Sequence, residues 1–244
     1  EGIRSNSIYS LLVDDRGAVW VGHFQAGLDY SLYQNGLFRT YAYPPQFNSA
    51  NLSIRSFVNR GPEKVIGSRD GLFYINEATG IVKSFVKPVL TSDLILTICF
   101  YEGEYYIGTY GGGMMVLNPQ TLSLKYFTQG DTELFQKGHI FCVKPDNRGN
   151  LWIGTSQGLF CYNGQTKQIK NFTSTNSQLP EGNVYEVSFD STGKGWIATE
   201  TGMCIYDPAS QSLRSNVFPE GFVHKDKVRT IYEDAEHNLY FIRE

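Results

Sequence analysis

Ile140-Phe141-Cys142-Val143-Lys144-Pro145-Asp146-Asn147-Arg148-Gly149-Asn150-Leu151-Trp152-Ile153-Gly154-Thr155-Ser156-Gln157-Gly158-Leu159-Phe160-Cys161-Tyr162 holds three apolar runs broken by two points of turn chemistry. Alternation of apolar and polar residues makes Ile140–Asp146 a first strand A, Leu151–Thr155 a strand B and Gly158–Tyr162 a strand C. Asp146-Asn147-Arg148-Gly149 is the turn between A and B, Ser156-Gln157 links B to C, and Ile169–Phe172 closes the unit as strand D.

The phrase at the centre of this stretch, Trp152-Ile153-Gly154-Thr155, recurs. Trp20-Val21-Gly22-His23, Val65-Ile66-Gly67-Ser68, Tyr106-Ile107-Gly108-Thr109 and Trp196-Ile197-Ala198-Thr199 are versions of it. Their small third residues, at 22, 67, 108, 154 and 198, are 45, 41, 46 and 44 residues apart. A period in the low forties is that of one four-stranded propeller blade. Strand A recurs at Ile8, Ile54, Ile95, Val184 and Val228, and strand C opens at Gly27, Gly71, Gly113 and Gly202. The expected fold is therefore all-β, a β-propeller of four-stranded antiparallel blades. Its repeats run over approximately 8–53, 54–94, 95–139, 140–183 and 184–227, with a partial sixth over 228–244, so about five and a half blades are present. A propeller protects its edges by closing, so continuation of the polypeptide on both sides to a seven-bladed ring is expected. No segment longer than a turn shows helical periodicity with caps, so almost no helix is expected.

Gly17, Gly149 and Gly193 fall where a tight A–B hairpin calls for positive φ, and Gly22, Gly67, Gly108 and Gly154 where packed sheets approach closely. Trp20, Trp152 and Trp196 are expected to fill the space between neighbouring blades. At 244 residues the chain can bury a substantial core, and the 14% aromatic content suits many short packed strands. A net charge of -3 without a Lys/Arg run argues against nucleic acid or an anionic lipid surface as partner. No apolar stretch approaches the length of a membrane span, and Glu1-Gly2-Ile3-Arg4 does not open a signal peptide. Cys99, Cys142, Cys161 and Cys204 include no Cys-x-x-Cys pair and read as small core residues.

The phrase Ile-x-x-Ile-x-x-Asp-x-x-Gly-x-Leu-Trp-Ile-Gly-Thr-x-x-Gly-Leu-x-x-Tyr, as it stands over residues 140–162, resembles the two-component regulator propeller repeat. The resemblance covers essentially the whole chain. The second unit departs from it, with Arg60-Gly61-Pro62-Glu63-Lys64 in place of the turn Asp and the Trp, and the third has Tyr105-Tyr106 and a shortened turn. What the resemblance implies is the periplasmic sensor half of a hybrid two-component system of Bacteroides-type gut bacteria. Such receptors join two propellers, a β-sandwich and one membrane pass to a histidine kinase, a receiver and a DNA-binding module, and many respond to oligosaccharides by switching on genes for polysaccharide use. No kinase, receiver or recognition-helix motif is legible here, so the segment is expected to belong to the sensing ectodomain.

The Asp-x-x-Gly turns at Asp14, Asp146 and Asp190 lack the alternating oxygen ligands and distal Glu of a calcium loop and read as hairpin turns. Gly111-Gly112-Gly113, without a following helix or Lys-Ser/Thr, reads as the B–C link of the third blade. A hydrolase needs an acid and a base or nucleophile in one cleft. Asp70, Glu104, Glu186, Glu200 and Glu233 occupy different blades and strand positions, and His23, His139, His224 and His237 form no metal-ligand spacing. No catalytic residue, metal or cofactor is therefore expected.

A binding surface is the better-supported expectation. In this topology the B–C and D–A links emerge on one face, which collects His23, Phe24, Gln25, Arg69, Asp70, Tyr110, Gln157, Glu200 and Thr201. The second residues of strand A, nearest the propeller axis, read Tyr9, Arg55, Leu96, Phe141, Tyr185 and Arg229. Arg, Asp, Gln and Tyr converging there suit sugar hydroxyls or a carboxylate, with aromatic faces to stack on a ring. The competing readings are a protein-interaction or dimerisation scaffold, docking a partner or a second receptor copy on this face or on an outer strand such as Leu37–Tyr41, and a polysaccharide-degrading propeller enzyme.

Overall fold

The computed structural model describes residues 2–14, 16–31, 37–41, 52–130, 132–215, 226–234 and 236–243. Five four-stranded antiparallel sheets and one two-stranded sheet follow one another, each a meander in which consecutive strands pair. They are β1 (Ile8–Val13), β2 (Val19–His23), β3 (Leu28–Ser31) and β4 (Phe38–Thr40), then β5 (Ile54–Arg60), β6 (Glu63–Ser68), β7 (Gly71–Asn76) and β8 (Ile81–Phe85). The third holds β9 (Ile95–Tyr101), β10 (Glu104–Thr109), β11 (Met114–Leu117) and β12 (Leu124–Tyr126), and is followed by a helix, α1 (Thr132–Lys137). The fourth holds β13 (Ile140–Pro145), β14 (Asn150–Thr155), β15 (Gly158–Asn163) and β16 (Ile169–Phe172). The fifth holds β17 (Val184–Phe189), β18 (Gly195–Thr199), β19 (Gly202–Asp207) and β20 (Ser212–Arg214), and β21 (Val228–Glu233) with β22 (Leu239–Arg243) ends the chain. Every sheet opens at the residue where the repeat placed strand A. The chain divides into two compact units, Glu1–Ile98 and Cys99–Glu244, with the division inside β9.

The recurring phrase is a set of local bonds. Asp146 accepts the N–H groups of Arg148 and Asn150, both at 2.8 Å, and closes the A–B turn, while its other oxygen accepts the Trp152 indole N–H at 2.9 Å. Asp14 does the same for Arg16, Ala18 and Trp20, and Asp190 for Thr192, Lys194 and Trp196. These carboxylates are engaged by N–H donors, as hairpin caps should be. At the end of the phrase the hydroxyl of Thr155 donates to the Gly158 carbonyl at 2.8 Å and accepts from Gln157 N–H at 3.0 Å, tying the B–C link, and Ser68 and Thr109 repeat the arrangement. At Gly154 an added Cβ would lie 2.5 Å from Cys142 Sγ and 2.7 Å from the Val184 carbonyl oxygen, which is the close approach of neighbouring blades anticipated there.

In the first unit the Trp20 ring packs on Phe57 and Tyr30, each at 5.0 Å, within a cluster that includes Ile54, Ile66 and Phe73. In the second unit Trp152 meets Phe172, Phe189 and Tyr206, while Tyr106, Phe127, Phe135 and Phe160 lie in a separate cluster. Tryptophan thus joins one blade to the strand A of the next, as expected. Cys99, Cys142 and Cys204 are buried among these residues, and burial pushes the Cys99 thiol up to about 12. A thiol held neutral is a packing group.

The expectation of almost no helix holds, and α1 is the one short helix among the described residues. Leu134 and Phe135 on this single turn and a half are fully buried, and Gly138 ends it by donating to the Leu134 carbonyl at 2.7 Å. Six residues are too few to repeat an apolar face, so no periodic signal announces it.

The turn carboxylates make stability depend on pH. At Asp190 burial raises the pKa, but the Thr192 hydroxyl, the Trp196 indole and two backbone N–H groups outweigh it and hold the group below the ordinary 3.8. At Asp234 the Asn238 side chain leads the same effect. A carboxylate depressed in the folded state contributes stability that is full above its unfolded value and is lost as pH falls through the folded one. Thermal melts should therefore be flat between about pH 5 and pH 8 and fall steeply below about pH 4, with Asp190→Asn shallower in that range. Equal acid slopes for the two proteins would show that the turn carboxylates do not carry the effect.

Candidate ligand-binding face

The second residue of strand A has a geometry that periodicity alone does not reveal. The pairing registers of β1, β5, β13, β17 and β21 each slip by one residue there, between Ile8 and Ser10, Ile54 and Ser56, Ile140 and Cys142, Val184 and Glu186, and Val228 and Thr230. The residue stepped over is Tyr9, Arg55, Phe141, Tyr185 or Arg229. A bulge leaves its extra residue unpaired and re-aims its side chain out of the alternation. Five of the six positions singled out from the repeat are therefore bulge residues, built into the ladder at the same place in each sheet.

In the first unit Tyr9 is 45% exposed and packs on the Phe24 ring at 5.3 Å, with the Arg55 guanidinium 4.7 Å above it. Phe24 is held by its own N–H, which donates to the Ser7 carbonyl just before strand A at 2.8 Å. The Arg55 Nε is buried without a hydrogen-bond partner among the described residues.

In the second unit the row is longer. Tyr110, half exposed, stacks on His139 at 4.0 Å, His139 lies 6.2 Å from Phe141, and Phe141 meets Tyr185 edge-on at 5.2 Å. The Arg229 guanidinium sits 4.1 Å over the Tyr185 ring, and Lys227 Nζ lies 5.7 Å from the same ring. Asn183 donates to the Tyr185 hydroxyl at 3.2 Å. Four aromatic rings thus follow in a chain of contacts that ends in an amide and two cations at Tyr185, a combination suited to stacking on a ring while bonding polar substituents.

The B–C link residues differ in exposure. Gln25, Arg69, Asp70, Gln157 and Glu200 are exposed at the tips of their links. Glu200 is tied to the start of β17, since its N–H donates to the Asn183 carbonyl at 2.9 Å and its carboxylate accepts the Asn183 N–H at 3.3 Å. Arg69 and Ser156 make the matching backbone bond to Ser53 and His139, so the B–C links and the residues leading into strand A share one end of each sheet. His23 is the correction. It is fully buried, with Nε2 at 3.0 Å from Asp29 Oδ2, and Asp29 also holds Arg4 Nε at 2.9 Å. His23 stands in the phrase where Ser68, Thr109, Thr155 and Thr199 stand, all of them buried, so its place at the end of strand B and not in the link accounts for the difference.

His139, Asn183 and Lys227 were missed as site residues. Each immediately precedes strand A, and alignment of that position with Ser7 and Ser53 is the signal that could have found them. Among the carboxylates weighed for catalysis, Glu104 pairs with Lys125, Glu186 with Lys144 and Glu233 with His237. His224 lies outside the described residues.

Repeated four-stranded meanders joined through strand A and a Trp-bearing strand B define a β-propeller built of blades. The two component regulator propeller family matches residues 2–25 and 135–157, so the chain is similar to it over those two stretches. No curated protein matches it significantly in sequence. Among solved structures, the extracellular domain of the B. thetaiotaomicron protein named as hybrid two component system BT3049 superposes with a TM-score of 0.79 at 24% identity, over 98% of this chain and 32% of that one. The extracellular domain of BT4673 from B. thetaiotaomicron, named as a one component system, gives 0.67 at 18% identity, over 100% and 38%. YCF48 bound to D1 peptide gives 0.69 at 12% identity, over 97% and 75%. The chain thus spans about a third of the length of the extracellular domains it resembles, and at these identities the likeness is one of fold. Among the described residues no helix is long and apolar enough to cross a membrane.

Proposed function

We propose that this chain is part of the ligand-sensing propeller of an extracytoplasmic receptor, and that it takes an oligosaccharide on the row of bulged residues. The observation that carries the reading is the register slip that re-aims Phe141, Tyr185 and Arg229 alike and sets them in line with Tyr110 and His139. A sugar ring stacks on Tyr or Phe faces, and its hydroxyls or a carboxylate suit the neighbouring Asn183 and Arg229. The repeat family and the fold of the two B. thetaiotaomicron extracellular domains support a receptor of two-component type, with a periplasmic location and control of polysaccharide-utilisation genes as the corresponding role.

A thermal-shift screen of the 244-residue chain against pectin, glucan, mannan, xylan and host-glycan oligosaccharides tests this. A ligand at about a hundredfold excess over its Kd stabilises the folded form by about 2.7 kcal/mol, which in a chain of this size raises Tm by roughly 5–10 °C. Tyr185→Ala and Arg229→Ala are expected to remove that shift while leaving the unliganded Tm nearly unchanged. The absence of a shift with every sugar would sink the reading and favour the protein-interaction scaffold.

A further inference from the structure

A second feature of the Cys99–Glu244 unit lies on the outer strands, at the other edge of the same two sheets that contribute β13 and β17. A groove of about 640 Å³ separates β16 from β20, lined by Lys170, Asn171, Asn176, Gln178, Gln211 and Arg214 among others, with no carboxylate in its wall among the described residues. Both strands are sheet edges, and an edge turns the N–H and C=O of every second residue outward.

On β16 the Asn171 carbonyl is already occupied. Asn176 gives Nδ2 to the Asn171 carbonyl at 3.1 Å and receives the Thr173 N–H on Oδ1 at 2.8 Å, the two bonds that one residue of an added strand would make. On β20 the outward series is Gln211, Leu213 and Ser215. Lys170 Nζ donates to the Gln211 carbonyl at 3.3 Å, and Gln178 Oε1 accepts the Ser215 N–H at 3.2 Å. Side chains therefore stand in for a strand at both ends of the β20 edge, and Leu213 lies between them in the groove wall. Lys170 rests over the Phe172 ring at 4.7 Å and, among the described residues, meets no carboxylate, while Arg214 reaches Asp207 at 3.3 Å.

We propose that this groove binds an extended acidic polypeptide segment as an added strand on β20, its main chain meeting Leu213 and its carboxylates meeting Lys170 and Arg214. The positive wall selects the charge, and the strand edge selects the extended backbone. Gln178 and Lys170 are the side chains such a segment would displace. The proposal is independent of the bulge row, since it uses the opposite edge of the sheets.

Fluorescence anisotropy of the 244-residue chain with a labelled hexapeptide alternating Thr and Glu, compared with one alternating Thr and Lys at the same ionic strength, tests it. Saturable binding of the acidic peptide is expected, at least about tenfold tighter than that of the basic one, and weakened about tenfold or more in a Lys170→Glu/Arg214→Glu variant whose Tm matches that of the parent. Hydrogen exchange of the Leu213 amide should slow about tenfold in the complex. If the variant melts lower, Lys170→Gln alone supplies the comparison. Equal binding of the two peptides, no binding at about 1 mM, or binding that leaves Leu213 exchange unchanged overturns the proposal, the last outcome reducing the groove to a general anion site.

Discussion

Replacing Trp152 with alanine is expected to lower the stability of the Cys99–Glu244 unit by about 3–5 kcal/mol, the cost of emptying a fully enclosed aromatic site. The ring is 1% exposed and touches Phe172, Phe189 and Tyr206, the last at 4.5 Å, so its removal loosens the contact between the fourth blade and the fifth. Trp152→Phe separates packing from hydrogen bonding. It keeps most of the ring contacts and loses the indole N–H, but Asp146 Oδ2 retains the Asn150 Nδ2 at 2.8 Å, so the cost is about 1 kcal/mol. Trp196→Ala should cost less than Trp152→Ala, because Trp196 is only half-buried and faces Phe241 at 6.0 Å on a two-stranded hairpin. Urea denaturation of the three variants checks this. Equal losses for Trp152→Ala and Trp196→Ala would contradict the account of tryptophan as the joint between complete blades.

Gly113→Ala is expected to cost about 3 kcal/mol or more, far beyond what an ordinary turn glycine would show. Gly113 has φ +71, and a Cβ there would lie 2.0 Å from the Phe135 carbonyl oxygen and 2.3 Å from its carbon. The left-handed conformation alone costs a non-glycine residue about 1–2 kcal/mol. The contact adds to it because its partner is backbone, so α1 must move, and moving α1 pulls Leu134 and Phe135 from the core. Gly149→Ala isolates the first effect. Its φ is +79 and nothing lies within 4 Å of the added Cβ, so a loss of about 1–2 kcal/mol is expected. Near-equal losses at the two positions, measured by urea denaturation, would show that α1 yields freely and contributes little to the core.

The dependence of Gly113 on a helix that no periodicity announced illustrates how the two levels of information divide. Strand order, blade period and the starts of the sheets were legible because they rest on local patterns, namely apolar alternation and turn residues repeated every 41–46 positions. The functions of Asp146, Trp152, Gly154 and Thr155 within the phrase follow from the same short range, since most of their bonds close within six residues.

The candidate site was legible only as a set of positions. That Tyr185 and Arg229 are second residues of strand A can be counted along the chain. That Arg229 comes to lie over Tyr185 and that Tyr110 finds His139 are outcomes of packing between sheets, made by residues 44 and 29 apart, while the register slip that frees Tyr185 and Arg229 lies within each A–B ladder. His23 shows the converse. One place in the phrase decides whether a side chain ends strand B inside the core or begins the exposed link, and alternation cannot resolve a single residue at a strand end. The amino-acid sequence by itself determined the repeat and the strands, because hydrogen bonding in a hairpin and apolar alternation are short-range. Which side chains share a face, which are buried and which groove lies between outer strands were decided only by the tertiary structure, because burial depends on the neighbouring sheet.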